Sequence, residues 1–237
     1  MAVRSATFAE SARRTSVDEF LSTMPWFASL DSLERRRLLS ETVLKTVPAG
    51  GCLARQGDPP TFWYGVIDGL LKLCWNERDG RSLTFTGVCA GSWFGEGTVV
   101  KSEPRRYDVI ALRDTRVACM PAALFNRLLQ TSFAFNHFVI ELLNDRAGQF
   151  IGRFVSQVML NVDAQVAHAL AGLFHPRLYP GMEPRLRISQ EEVAHLSGIS
   201  RPRCNEALRR LKEAGFLRTE YGVITIVDLQ GLKQFQG

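Results

Sequence analysis

The sequence predicts an α+β fold in three successive regimes: an N-terminal β-roll of jelly-roll type, a long helix, and a compact C-terminal helical unit with a β-hairpin. Two observations carry this reading. Residues 43–120 alternate short runs rich in Val, Ile, Phe, Trp and Thr with turn signals, about every eight to twelve residues. From residue 121 the apolar spacing becomes helical. The boundaries follow these changes: a tail at 1–24, the roll at 25–130, the long helix and a hinge at 131–161, and the C-terminal unit at 162–237.

Residues 1–20 are polar and rich in Ser, Ala and Arg, and read as a loose tail. Leu30, Leu33, Leu38 and Leu39 then face away from Arg35, Arg36 and Arg37 on a short helix that Asp31 caps. Turn signals in the roll include Pro48 to Gly51, Gly57 to Pro60, Asp79-Gly80 and Gly91-Ser92. Trp63 to Ile67 and Leu70 to Trp75 read as neighbouring strands, with Asp68-Gly69 as the hairpin between them.

In the long helix, Asn136, Ile140, Leu143, Ala147, Phe150 and Phe154 recur at heptad spacing. Phe135, Phe138, Leu142, Ile151 and Val155 form a second apolar stripe. Two such stripes need two partners. One faces the roll, and the other, comprising Ile140, Leu143, Ala147, Phe150 and Phe154, is expected to face a second copy of the chain. Asn161 and Asp163 suit helix starts and mark a hinge before a further helix at 163–174. A Pro-rich loop follows, with Pro176, Pro180, Gly181 and Pro184.

The window Ile188 to Gly215 is the most specific. Ser189 before Glu191-Glu192 starts a helix, and Ala194, Gly198 and Cys204 supply what a steep helix crossing needs. These needs are a small residue at the contact, a positive φ at the turn, and a small apolar residue on the second helix. Ser200 caps that second helix, and Pro202 falls in its first turn. Leu208 and Leu211 face inward, leaving Arg201, Arg203, Asn205, Glu206, Arg209 and Arg210 outside. This is a helix-turn-helix pattern, and Thr219 to Val227 would add a β-hairpin wing. Arginines pair bidentately with guanine, and Asn205 suits adenine or phosphate. The expected DNA-contacting set is Ser200, Arg201, Arg203, Asn205, Glu206 and Arg209.

Composition agrees with these parts. At 237 residues, 46% hydrophobic and 22% charged, the chain is an ordinary globular one. It has no run of eighteen apolar residues for a membrane span, and its first ten residues do not form a secretory signal. Cys52, Cys74, Cys89, Cys119 and Cys204 are odd in number and include no Cys-x-x-Cys, which argues against disulfides or structural zinc and for a reducing cytoplasm. The net charge is +5, and residues 185–218 alone hold eight Lys/Arg against four Glu. No catalytic constellation is present. A metal-dependent roll enzyme would need histidines within the strands, yet His137, His168, His175 and His195 all lie outside 43–120.

With these parts in order, the chain resembles the cyclic-AMP receptor protein/fumarate–nitrate regulator (CRP/FNR) family over roughly residues 25–235. The resemblance rests on Gly51 to Pro59, Trp93 to Gly97, Arg105-Arg106, the long helix, and Ile188 to Leu211. It implies a homodimeric transcription regulator with a cyclic-nucleotide-binding-like roll, a pseudo-palindromic double-stranded DNA operator, and RNA polymerase as a partner. By position it implies that Glu96 accepts a ribose hydroxyl, that Arg106 pairs with a cyclic phosphate, and that Arg201 contacts a base. Glu206 stands where the family has arginine, so it suits a cytosine amino group or a neighbouring arginine. Iron–sulfur members carry clustered N-terminal cysteines, and none precedes Cys52 here.

Cyclic AMP fits poorly. Tyr107 and Asp108 replace the small residues that follow the phosphate arginine, and Phe150 and Ile151 replace the polar pair that senses adenine. Arg105, Arg106 and Asp108 form an Arg-x-x-Asp string suited to cyclic di-GMP, which is favoured weakly over cyclic AMP. An effector-independent regulator, or an interaction module that no longer binds DNA, are the alternatives.

Overall fold

The computed structural model describes residues 16–77, 82–180 and 182–237. Asp79-Gly80 and Gly181 lie outside the described residues, as do residues 1–15 of the expected tail.

The rest of that tail is structured. Helix α1 (Val17–Ser22) starts on a capping box in which Ser16 and Glu19 satisfy each other's backbone N–H groups. Its Phe20 and Leu21, with Met24 beyond, are buried in the core. Six residues are too few for a helical period to show, so burial and the cap decide the matter. Helix α2 (Ser32–Glu41) begins at Asp31, whose carboxylate accepts from the Leu33 and Glu34 amides, as its sequence predicts. Leu38 is buried, whereas Leu33 faces solvent.

The roll is two four-stranded antiparallel sheets. One is ordered β1 (Val43–Val47), β8 (Thr115–Pro121), β3 (Phe62–Asp68), β6 (Trp93–Phe94). The other is β2 (Cys52–Ala54), β7 (Asp108–Ala111), β4 (Leu70–Asn76), β5 (Ser82–Cys89). Val66, Leu71, Val88, Phe94, Val109 and Val117 fill the space between them. Strands β3 and β4 are not a hairpin: the chain changes sheets at Asp68-Gly69. β3 pairs with β8 through Trp63↔Met120 and Gly65↔Ala118, and β4 pairs with β5 through Leu71↔Val88. Gly69 has φ +106 and lies so close to Thr115 that a Cβ would collide. The dipeptide supplies the positive φ of a tight turn, but burial of both strands on both faces selects the partners.

Helices α3 (Glu96–Lys101), α4 (Ala122–Thr131) and α5 (Phe133–Met159) cover one side of the roll. Trp63 stacks on Trp93 at 4.0 Å, and the rings of Phe125 and Phe135 meet Trp63 edge-on. Helix α5 ends at Leu160 in extended backbone, and Asn161 caps α6 (Val162–Gly172) through the Ala164 amide at 3.0 Å. Beyond it come β9 (Arg185–Leu186), α7 (Gln190–Ser197), α8 (Arg201–Glu213), β10 (Leu217–Glu220), β11 (Val223–Ile226) and α9 (Leu229–Gln234). Strands β10, β11 and β9 form the wing sheet. Helix α9, which the sequence analysis misses, starts on Asp228 and buries Leu232.

Of the expected seam on helix α5, Ile140, Ala147, Phe150 and Phe154 are exposed, Phe150 leaning edge-on against Phe85, whereas Leu143 is half-buried against the core. Ile151 and Val155, expected on the roll side, are exposed instead. The roll side is Phe135, Val139, Leu142 and Arg146.

Candidate nucleic-acid interface and effector site

Helices α7 and α8 form the helix-turn-helix. Ser189 and Glu192 make a capping box at its start, and Gly198 adopts φ +70 at the turn. Ala194, Cys204, Leu208 and Leu211 are buried at the crossing and beneath it. Ser200 occupies the N-cap position of α8, but its side chain makes no capping hydrogen bond, which leaves the hydroxyl free for another acceptor.

Arg201, Arg203, Glu206, Arg209 and Arg210 are all exposed on α8. Asn205 is half-buried, and its Oδ1 is shielded without a hydrogen-bond partner. Arg201 lies 3.9 Å from Glu191, and Arg209 pairs with Glu213 at 2.7 Å. Exposed pairs of this kind are weak, about 0–1 kcal/mol, so a phosphate can replace the carboxylate. Glu206 pairs with Arg210, which also reaches Asp163 on α6 at 3.0 Å. Of the two roles open to Glu206, acceptance from a neighbouring arginine is the one made. Tyr221 and Gly222 form the exposed wing tip. His195 lies at the surface, where partial loss of solvent around the ring and the Lys72 ammonium hold its imidazole below the ordinary value.

Inside the roll, the two adjacent arginines part company. Arg106 is exposed and pairs with Glu103 at 2.7 Å, so it is not the inward cation that the resemblance implies. Arg105 is: it is 2% exposed, its Nη2 donates to Phe62 O at 2.5 Å, and its guanidinium lies 4.6 Å from the Tyr64 ring centroid. Gly95, at φ +90, admits it, since a Cβ there would stand 2.8 Å from Arg105 Nη1. Asp108 does not complete an Arg-x-x-Asp grip. Its two oxygens accept from the Gln56 amide at 2.8 Å and from Asn76 at 2.7 Å, fixing the β2–β3 loop instead.

Glu96, at the first position of α3, is buried, with Oε1 3.8 Å from Nε of buried Arg146. Arg146 also donates to Trp93 O at 2.8 Å. Burial opposes its charge, but Glu96 and the Tyr179 and Tyr107 phenols outweigh it, and its pKa rises. Burial, reinforced by Glu96, pushes the Tyr107 phenol up to about 12. Arg105 Nη1 and Glu96 Oε2 are both buried and have no hydrogen-bond partner. That donor and that carboxylate suit a ligand bearing an anionic group and a hydroxyl. Arg146 escapes the sequence analysis, although it continues the buried spacing Phe135, Val139, Leu142; a charge on an apolar stripe was the available signal. The cysteines divide: Cys74, Cys89, Cys119 and Cys204 are buried, and Cys52 is exposed.

Two protein families match the chain: the cyclic nucleotide-binding domain over residues 44–132, and the Crp-like helix-turn-helix domain over residues 164–235. The transcriptional regulator SdrP of Thermus thermophilus is 30% identical over 173 residues, covering 72% of this chain and 82% of that protein. The structure of FixK2 from Bradyrhizobium japonicum superimposes with a TM-score of 0.70 at 16% identity, over 83% of this chain and 98% of that one. The c-di-GMP responsive global regulator CLP of Xanthomonas campestris gives 0.59 at 23% identity, over 83% of this chain and 99% of that one. No helix among the described residues is long and apolar enough to cross a membrane. Roll, long helix and winged helix-turn-helix thus occur in the order, and with the matches, of one group: this chain belongs to the CRP/FNR family of transcription regulators.

Proposed function

We propose that the protein is a cytoplasmic homodimer that binds a pseudo-palindromic operator through α8 and recruits RNA polymerase, under the control of a nucleotide second messenger in the roll. The observation that carries the effector reading is the pair of buried, unpartnered polar atoms, Arg105 Nη1 and Glu96 Oε2. The arginine takes the phosphate and the glutamate accepts a sugar hydroxyl. Cyclic di-GMP is the first messenger to test: CLP carries that responsiveness in its name, and the apolar Phe150 edge offers adenine no hydrogen bond. The Arg-x-x-Asp string itself lends no support, because Arg105 and Asp108 serve different neighbours.

An effector-independent regulator is the second reading. It is favoured by the aromatic filling of the roll, where Tyr64 stacks on Phe94 at 5.4 Å and Arg105 lies over Tyr64. Calorimetric titration with cyclic di-GMP, cyclic AMP and cyclic GMP separates the two. Saturable heat that Arg105→Gln removes supports a messenger in the roll, and no heat with any of the three supports the second reading. Footprinting on genomic fragments tests the operator. On the mapped site, Arg201→Ala is expected to weaken binding by about 1–3 kcal/mol, and an unchanged affinity removes Arg201 from the contact set.

A further inference from the structure

A cavity of about 450 Å³ lies where the roll, α5, α6 and the helix-turn-helix meet, within the size range of small-molecule sites. Three helical glycines open it: Gly148 and Gly152 on α5 and Gly172 on α6. A Cβ at any of the three would meet nothing within 4 Å, so no close packing requires glycine there. Gly148 and Gly152, both interior to α5, destabilise that helix relative to alanine. Leu173 and Phe174 give the cavity an apolar wall.

Arg153 lines this cavity, and its Nε and Nη2 are shielded from solvent without a hydrogen-bond partner. Burial lowers its pKa, and the Tyr179 phenol is the one group opposing that shift. The contrast with Arg146, two turns earlier on the same helix and answered by Glu96, is direct. Asp145 on the cavity wall is already engaged, by Arg177 at 2.9 Å and near His175 at 3.9 Å. An unanswered, half-buried guanidinium beside open space has the chemistry of a receptor for an oxyanion, which matches its planar fork.

We propose that this junction cavity is a second small-molecule site, separate from the roll interior, for an organic anion. Arg153 takes the phosphate or carboxylate, and Leu173 and Phe174 take the apolar body. Arg153 Nη2 lies 3.5 Å from where a Cβ on Gly198 would stand, and Leu196 of α7 forms part of the wall. A bound anion would therefore lie against α7, with Arg153 linking it to the turn of the helix-turn-helix.

The test uses the full-length protein, with inorganic phosphate, adenosine monophosphate and citrate as probes against chloride at matched ionic strength. Thermal melting and calorimetry are expected to show a saturable response to at least one probe. Phosphate and the nucleotide identify a phosphate group; citrate alone identifies a carboxylate. Arg153→Met and the cavity-filling Gly152→Leu should each weaken the cavity's share of that binding about tenfold or more, and this Arg153-dependent share should persist in Arg105→Gln, which removes only binding in the roll. Without ligand, Arg153→Met should raise Tm by about 2 °C, because an unpaired shielded charge gives way to an apolar chain of similar length. The proposal is overturned if Arg153→Met lowers the ligand-free Tm, if no probe gives an Arg153-dependent response, or if Arg105→Gln abolishes the whole response.

Discussion

Arg105 and Arg106 are chemically identical neighbours with opposite environments. The chain bends at Arg106 and Tyr107, just before β7, and only Arg105 enters the roll. Position in the family resemblance selects Arg106; the backbone selects Arg105, tied by Arg105 N to Asp58 O at 2.9 Å and by Gly57 N to Arg105 O at 2.8 Å. A shift of one residue in a loop is invisible to motif spacing, which is why the sequence identifies the arginine pair but not its working member. The same residue scale gives a test of the buried charges. Glu96 and Arg146 stand 3.8 Å apart with little solvent around either. Removing one partner of a buried pair leaves the other uncompensated, at about 3–5 kcal/mol. Arg146→Met is therefore expected to lower stability by roughly that amount in urea unfolding, with Glu96→Gln added to it recovering a large part. If the double variant is as unstable as the sum of the singles, the two charges do not support each other.

At the scale of the element, α5 was legible as a helix with two apolar faces, but not in the rotation of those faces. Its exposed residues Phe133, His137, Ile140, Asn144, Ala147, Ile151, Phe154 and Val158 recur every three or four positions without a break. Ile151 is 65% and Phe154 67% exposed, while Leu142 on the opposite side is 1% exposed. A heptad read through Leu143 leaves the open seam at that position, while its Phe150 stays exposed beside Ile151, because apolar residues at both i and i+1 satisfy either register. Only packing against Trp63 and Phe125 separates them. The wing hairpin, the start of α7 at Ser189 and the helix break at Asn161, by contrast, were legible because caps and turns depend on residues adjacent in sequence. The rotated seam predicts which variants dissociate a dimer. Ile151→Glu with Phe154→Glu should sediment as a monomer in analytical ultracentrifugation. Leu143→Ala should lower stability by about 1–2 kcal/mol and leave the sedimentation unchanged. A dimeric double variant would place the contact elsewhere on the molecule.

Across the whole molecule, the DNA-binding unit is not tethered to the roll by the hinge alone. Arg113, in the β7–β8 loop, holds Glu192 of α7 through contacts of 2.7 and 2.8 Å. Leu196 of α7 packs over Gly87 of β5, so close that a Cβ there would stand 2.6 Å from it. The Tyr179 hydroxyl donates to Gly87 O at 2.8 Å and accepts from Gln149 of α5 at 2.7 Å, joining strand, long helix and linker in one place. These contacts join the roll and α5 directly to α7, without passing through Asn161. Arg113→Ala tests this junction cleanly. The second Glu192 oxygen still accepts from the Ser189 amide at 2.6 Å, so the α7 cap survives the substitution. What is lost is docking, worth about 1–3 kcal/mol for a partly buried charged hydrogen bond. Hydrogen exchange is expected to speed up in β5 and in α7, with the aromatic core around Trp63 unaffected. Unchanged exchange in both elements would mean that the ion pair does not hold the two units together, and that the hinge alone sets the position of α8.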